Sequence, residues 1–359
     1  MFTPGRLSLA RRRRRLTKKG LAEAIGVAPH TVLRYESGEI SPSDNVIKNL
    51  SQFLEFPVEF FFGEDVDEPI EGAASFRSLS AMSAKDRDAA LAVSALAFIF
   101  TDWIVERFDL PHQDLIDLSG EEPDVAARSL RQKWGMGERP IKNIVHLLEA
   151  KGVRVFSLTE NTNTVDAYSL WRNDTPYMFL NMMKTPERSR FDAAHELGHL
   201  VLHKHGGPSG RRAEDDANRF AASFMMSSAD VLAIMPRVSN LNQIVQGKKR
   251  WAVSVAALNH RLHKLKITTD WQYRTFSIQL TEQGYRVAEP DGIAREQSVV
   301  WQKVLTVLWT EKITKNDIAN AIHIPAFEIE NLLVGLTNPH SISDSVERIH
   351  EETKLKLIL

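Results

Sequence analysis

Apolar positions along the chain follow two periods. In the first 63 residues they recur every three or four places, with two short blocks at 18–27 and 28–36 punctuated by Gly26. Pro29 suits the first turn of the second block, whose Val32 and Tyr35 turn inward while Pro29, His30, Thr31 and Arg34 face out. Val46, Leu50, Leu54, Phe60 and Phe61 complete a small all-α unit over 1–63. An acidic, Pro-containing stretch opens a linker over 64–83.

Helical spacing resumes over 84–108, with Ser83 as its cap, and again over 123–134 and 140–151. After Gly152 the period shortens to two, and 153–158, 167–172 and 177–181 read as strands, the last two joined by a turn at Asn173-Asp174. The small sheet sits among helices, so 84–228 forms an α+β domain, and an exposed strand edge in it could hold a peptide by β-augmentation. The remainder, 229–359, reads as mainly helical. It contains a basic amphipathic helix over 251–265, a hairpin of 273–280 and 285–288 about Gly284, and a helix over 299–309. Residues 313–336 then repeat the two-helix cadence of the N-terminus in degenerate form, without its basic flank, which points to protein contact or dimerisation. The fold class is multidomain: a helical unit, an α+β domain and a helical C-terminal region.

Composition narrows the chemistry. The 359 residues carry a formal charge of −1 and 43% hydrophobic residues, enough to bury a sizeable core. Cysteine is absent, which excludes disulfides, thiolate nucleophiles and thiolate metal sites and leaves His and carboxylates as metal ligands. The longest apolar run, 91–105, carries Asp102 and falls short of the roughly 20 residues of a membrane span. No apolar run follows the N-terminal arginines, so a cytoplasmic protein without a membrane partner is expected.

The near-neutral sum hides an asymmetry. The first 20 residues hold eight cations, Arg6, Arg11 to Arg15, Lys18 and Lys19, and no acid. Two short helices joined by a Gly turn form a helix-turn-helix, whose second helix offers Pro29, His30, Thr31 and Arg34 to base edges. Arg11, Arg12, Arg13, Lys18 and Lys19 would meet phosphates. Leu16-Thr17, Leu21-Ala22, Ile25-Gly26-Val27, Val32, Tyr35-Glu36, Gly38 and Pro42-Ser43 resemble the XRE/Cro-type helix-turn-helix family. Lys18-Lys19 departs from that family, which often has Gln early in this helix. The resemblance implies double-stranded operator DNA as a partner and a homodimer; a unit used only for dimerisation is the alternative.

The run Arg190-Phe191-Asp192-Ala193-Ala194-His195-Glu196-Leu197-Gly198-His199 carries the chemistry. Histidines four apart share a helix face and can reach one ion. Glu196, about 100° around from His195, can take a proton from a water activated at that ion. His203 continues the spacing but reads as structural, as does His205. Zinc requires a third protein ligand. On the next helix, over 213–226, Ala217, Phe220, Ala221, Phe224 and Met225 centre about 60° from Glu214, and Asp215 and Asp216 lie farther round. Glu214 is therefore the third ligand, and Asn218, one turn on, can orient Glu214 from behind, a surface or capping Asn being the alternative. Arg261 and Tyr273 are further candidates for assisting roles at the site.

These residues, with Asp166 to Ser169, the strand ending at Asn181, and Glu214-x-x-Ala217-Asn218-x-Phe220-Ala221, resemble the ImmA/IrrE-type metallopeptidase family over about 70–290. That family usually has Pro after the Met ending the Glu214 helix; here Ser227-Ser228 follow Met226. The resemblance implies a zincin-like domain with Zn2+ on His195, His199 and Glu214 and with Glu196 as general base. It also implies an endopeptidase acting on a repressor-type regulator or module partner. The competing reading is a transcriptional regulator or antitoxin whose zinc is sensory or structural.

Overall fold

A computed structural model describes residues 1–67, 83–159, 167–204 and 210–337. The N-terminal unit is built from α1 (Pro4–Arg13), α2 (Lys18–Ile25), α3 (Pro29–Glu36), α4 (Asp44–Leu54) and a 3-10 turn at Val58–Phe62. Thr17 caps α2 by accepting from the Gly20 amide, and Gly26 ends it at φ 72°, a left-handed conformation that costs glycine little. Leu7, Leu21, Val32, Leu50, Phe60 and Phe61 close the core.

That core does not end with the unit. Ala92, Ala95 and Leu96 of α5 (Ala84–Val105) and Ile324 of the C-terminal region belong to it. Helix α5 is long and apolar enough to cross a membrane, but 72% of its most apolar window is buried inside the fold. Its other residues, among them Ala97, Phe98, Phe100 and Ile104, enter the larger core. One helix thus serves two cores, which explains its apolar circumference.

The α+β portion follows with α6 (Pro123–Lys133), α7 (Ile144–Ala150), β1 (Arg154–Leu158), β2 (Ala167–Arg172) and β3 (Thr175–Asn181). Sheet order is β1-β3-β2: β1 runs parallel to β3 with Phe156 opposite Phe179, and β2 runs antiparallel with Tyr168 opposite Phe179. Asn173 and Asp174, at φ 47° and 59°, make the tight β2–β3 turn. Next come α8 (Pro186–Leu202), capped by Thr185, and α9 (Arg211–Met225), packed against it.

The C-terminal region corrects two expectations. Residues 273–280 form no strand; they lie in α13 (Asp270–Glu282), started by a capping box between Thr269 and Gln272. Phe276, Ile278 and Leu280 alternate as a strand would, but Phe276 and Leu280 are buried one helical turn apart and Ile278 is exposed. The segment 251–265 is likewise not one helix. Trp251 ends α11 (Leu241–Trp251), Ala252 turns left-handed at φ 51°, and Ser254 caps α12 (Val255–Lys264). Helix α10 (Ser228–Ile234) takes Ser227 as its cap, so the Ser in place of the family's Pro starts a helix.

Helices α14 (Val299–Thr310), α15 (Lys315–Ile322) and α16 (Ala326–Leu333) complete the described chain. In the α15–α16 pair His323, at φ 56°, takes the turn position that Gly26 holds in the first copy. The contact this pair makes is within the chain: Ile324 enters the N-terminal core and buried Glu328 binds Arg13 at 2.9 Å and Arg14 at 2.7 Å.

Candidate metal centre

Helix α8 presents His195 and His199 to α9, and the two helices approach closely because Gly198 faces Ala217 and Phe220. A Cβ at Gly198 would lie 3.1 Å from the Phe220 ring and 3.3 Å from the Ala217 backbone. Nε2 of His195 and Nε2 of His199 stand 3.1 Å apart. Each lies 3.5 Å from an oxygen of Glu214. A tetrahedral zinc with bonds of about 2.1 Å sets its ligand atoms about 3.4 Å apart, so the three side chains fit such an ion. Among the described residues this is the cluster of such donors that could hold a metal.

The supports of the imidazoles are also present. His195 Nδ1 donates to Asn218 Oδ1 at 3.1 Å, which leaves the Nε2 lone pair aimed at the ion position. His199 Nδ1 lies 3.0 Å from His203 Nδ1, so His203 braces the His199 imidazole. Burial, followed by the charge of His199, pulls the His203 pKa down to about 4 and keeps that ring neutral. Burial lowers His195, but its bond to Glu214 and the charges of Glu196 and Glu214 outweigh this and raise it. Burial raises Glu214, and the bonds from His195 and His199 reverse that and hold it well below the carboxylate range. A cluster that holds its carboxylate ionised and attracts a proton is suited to a cation in the proton's place.

Glu196 is buried, one step round α8, and its Oε2 accepts from Ser169 Oγ of β2 at 2.7 Å. Ser169 was legible only through the family resemblance; nothing in its local pattern marks it. All four key side chains except His199 line a cleft of about 1190 Å³, together with Asn218, Ala167 of edge strand β2, α12 and residues 285–289. Arg261 lines this cleft too, tied to Asp124 at 3.5 Å and to the Met226 carbonyl at 3.0 Å. Tyr273 does not line it and stacks on His263 at 4.5 Å. His260, Tyr285 and Arg286 are lining residues that no local motif singled out.

The N-terminal cations divide. Pro29 and His30 are exposed on α3, Thr31 and Arg34 partly so, and half-exposed Leu33 lies beside them. Arg34 pairs with exposed Glu39 at 2.8 Å, Lys18 reaches Glu36 at 3.4 Å, and Lys19 pairs loosely with Glu23 at 3.8 Å. Arg12 is part-buried and bonds the Ser8 carbonyl. Arg11 and Arg13 correct the expectation of an arginine-lined phosphate face. Both are buried, Arg11 bidentate on Glu36 and Arg13 on Glu328, and Arg15 is bound to Asp86. Arg13, Arg14 and Arg15 dock the unit onto the rest of the chain, and Arg11 ties α1 to α3 within it.

Comparison with known families agrees with this architecture. Residues 7–61 match the helix-turn-helix family, and residues 148–263 match the IrrE N-terminal-like domain, a peptidase family. The chain thus carries a helix-turn-helix region followed by an IrrE-like, metallopeptidase-like domain. A search of the curated proteins found no match.

Proposed function

We propose that this chain is a DNA-binding, zinc-dependent endopeptidase that controls transcription by cleaving a repressor or partner protein. The observation that carries the reading is the convergence of His195, His199 and Glu214 beside Glu196 in an open cleft. Three protein ligands leave a fourth position for water or substrate, whereas a structural zinc is enclosed by four. Zinc held there would supply Lewis acidity and bring the pKa of a water to about 7.

Glu196 accepts the proton of the attacking water as its oxygen adds to the peptide carbonyl carbon. It returns that proton to the amide nitrogen as the C–N bond breaks. Ser169 holds the Glu196 carboxylate in place, and Asn218 and His203 hold the two imidazoles. An extended substrate lying past Ala167 would find the main chain of edge strand β2 beside it. The exposed face of α3, with Pro29, His30, Thr31 and Arg34, supports binding of operator DNA, and Lys18 and Lys19 would meet phosphates. Cytoplasmic action as a homodimer on a two-fold operator belongs to the same reading.

Mapping of new protein N-termini in cells tests it. Cells expressing the wild type should show a new cut in a DNA-binding regulator, and cells expressing Glu196→Gln, with zinc still bound, should not. Identical termini in the two would end the enzyme reading and leave a sensory or structural zinc.

A further inference from the structure

The lining of the cleft has two stretches of different electrostatic character. On the stretch formed by α8 and α9, cations are matched by neighbouring carboxylates: Arg188 lies 3.9 Å from Asp192, and Arg219 lies 3.1 Å from Asp124. A second stretch of the lining is α12 with residues 285–289. It supplies His260, Arg261, Lys264 and Arg286, and its one acid, Glu289, is committed to buried Lys248 at 3.1 Å and to the Val255 amide.

Arg261 is likewise spent on Asp124 and the Met226 carbonyl. Lys264 and Arg286 are left exposed, and among the described residues neither has a carboxylate within ion-pair distance. Among the described residues Arg286 bonds the Thr281 hydroxyl alone, at 2.9 Å. Complementing the α12 dipole would account for Lys264, which lies in that helix's last turn, but not for Arg286, which comes from another segment. His260 reports the local field: burial, then Lys264, His263 and Arg261, lower its pKa. Two cations without a carboxylate partner on one stretch of the lining favour an anionic group on whatever lies beside them.

We propose that this stretch sets the substrate class: the cleft that holds His195, Glu196 and Glu214 takes a peptide segment bearing a carboxylate side chain, which Lys264 and Arg286 receive. The inference rests on the peptidase reading for its occupant, but binding alone can test it.

The full-length, zinc-loaded Glu196→Gln protein is titrated with three short fluorescein-labelled peptides that differ only in a central Glu-Glu, Gln-Gln or Lys-Lys pair. Fluorescence anisotropy at low salt should show the Glu-Glu peptide binding about tenfold more tightly than the Gln-Gln one, with Lys-Lys weakest. The preference should shrink in Lys264→Gln/Arg286→Gln and vanish or invert in Lys264→Glu/Arg286→Glu; both changes are on exposed side chains and leave the core untouched. Equal affinities, no binding by any peptide, or a preference intact in the double variants would each overturn the proposal, the last placing the anion on the N-terminal cations. Cleavage by wild type is read separately. Acidic preference without cleavage keeps this subsite and removes the peptidase reading; cleavage without acidic preference does the reverse.

Discussion

Ser169 Oγ donates to Glu196 Oε2 at 2.7 Å and also reaches the Glu196 carbonyl at 3.2 Å, so the edge strand β2 and helix α8 meet at the proposed general base. Both side chains are buried, which leaves a carboxylate little freedom once this bond fixes it. Ser169→Ala should lower kcat about tenfold, the equivalent of one hydrogen bond to a charged group at about 1.5 kcal/mol. Zinc content and KM should not change. A kcat equal to wild type would show that Glu196 is positioned without this strand.

Much of this was legible in the sequence, and the misses have physical causes. His195, Glu196, His199 and Glu214 stand out because helix geometry makes contacts between them from spacing and face direction alone. The strands 153–158, 167–172 and 177–181 showed through their period, and the turn at Asn173-Asp174 through residues that tolerate positive φ. The region 273–280 misled because an alternating pattern and a helical one share Phe276 and Leu280, and the deciding signal was the Thr269–Gln272 cap upstream. The arginine run misled for another reason. Charge along a chain does not say whether an acid 315 residues away, Glu328, will meet Arg13.

The divided arginines and lysines make a prediction about DNA. Each phosphate contact contributes about one to the slope of log K against log salt for duplex DNA. Lys18→Ala/Lys19→Ala should flatten that slope by about two on a nonspecific duplex. Arg13→Gln should leave the slope alone and lower stability instead, by about 3 kcal/mol in urea unfolding, because it breaks a buried ion pair with Glu328. If Arg13→Gln flattens the slope as the lysine changes do, Arg13 leaves Glu328 to meet DNA.

Glu149 gives the fold a pH dependence. Its carboxylate is buried at the start of α14, accepting from Ser298 and from the amides of Val299 and Val300. Burial pushes its pKa up to about 7, against the bonds that favour its charge. A carboxyl of the unfolded chain titrates near 4.3, so the folded state holds a proton that the unfolded state has lost. The resulting stability is fully present below about pH 4 and is lost as pH rises toward 7, by about 3 kcal/mol across the window. Urea midpoints at intervals from pH 5 to 8 should fall more steeply for wild type than for Glu149→Gln, whose amide keeps an acceptor and does not titrate. Parallel midpoints for the two proteins would assign the slope to other groups.

Gly198 sets how closely α8 and α9 approach, and with that the spacing of the candidate metal ligands. Inside a helix, exchanging Gly for Ala stabilises by about 1 kcal/mol when space is free. Here the added methyl would press on Phe220 at 3.1 Å and on the Ala217 backbone at 3.3 Å, and Ala217 lies one turn beyond Glu214 on the same helix. A ring can swing by a few tenths of an ångström, but the backbone of α9 moves only as a body and carries Glu214 away from the histidines. Gly198→Ala should therefore gain no stability, and Gly198→Val should lose about 1–3 kcal/mol by overpacking. Zinc affinity, measured by competition with a chelating dye, should fall in the same order and by about tenfold for the Val variant, although no ligand has been altered. A stabilised Gly198→Ala protein with undiminished zinc affinity would show that the α8–α9 spacing has slack.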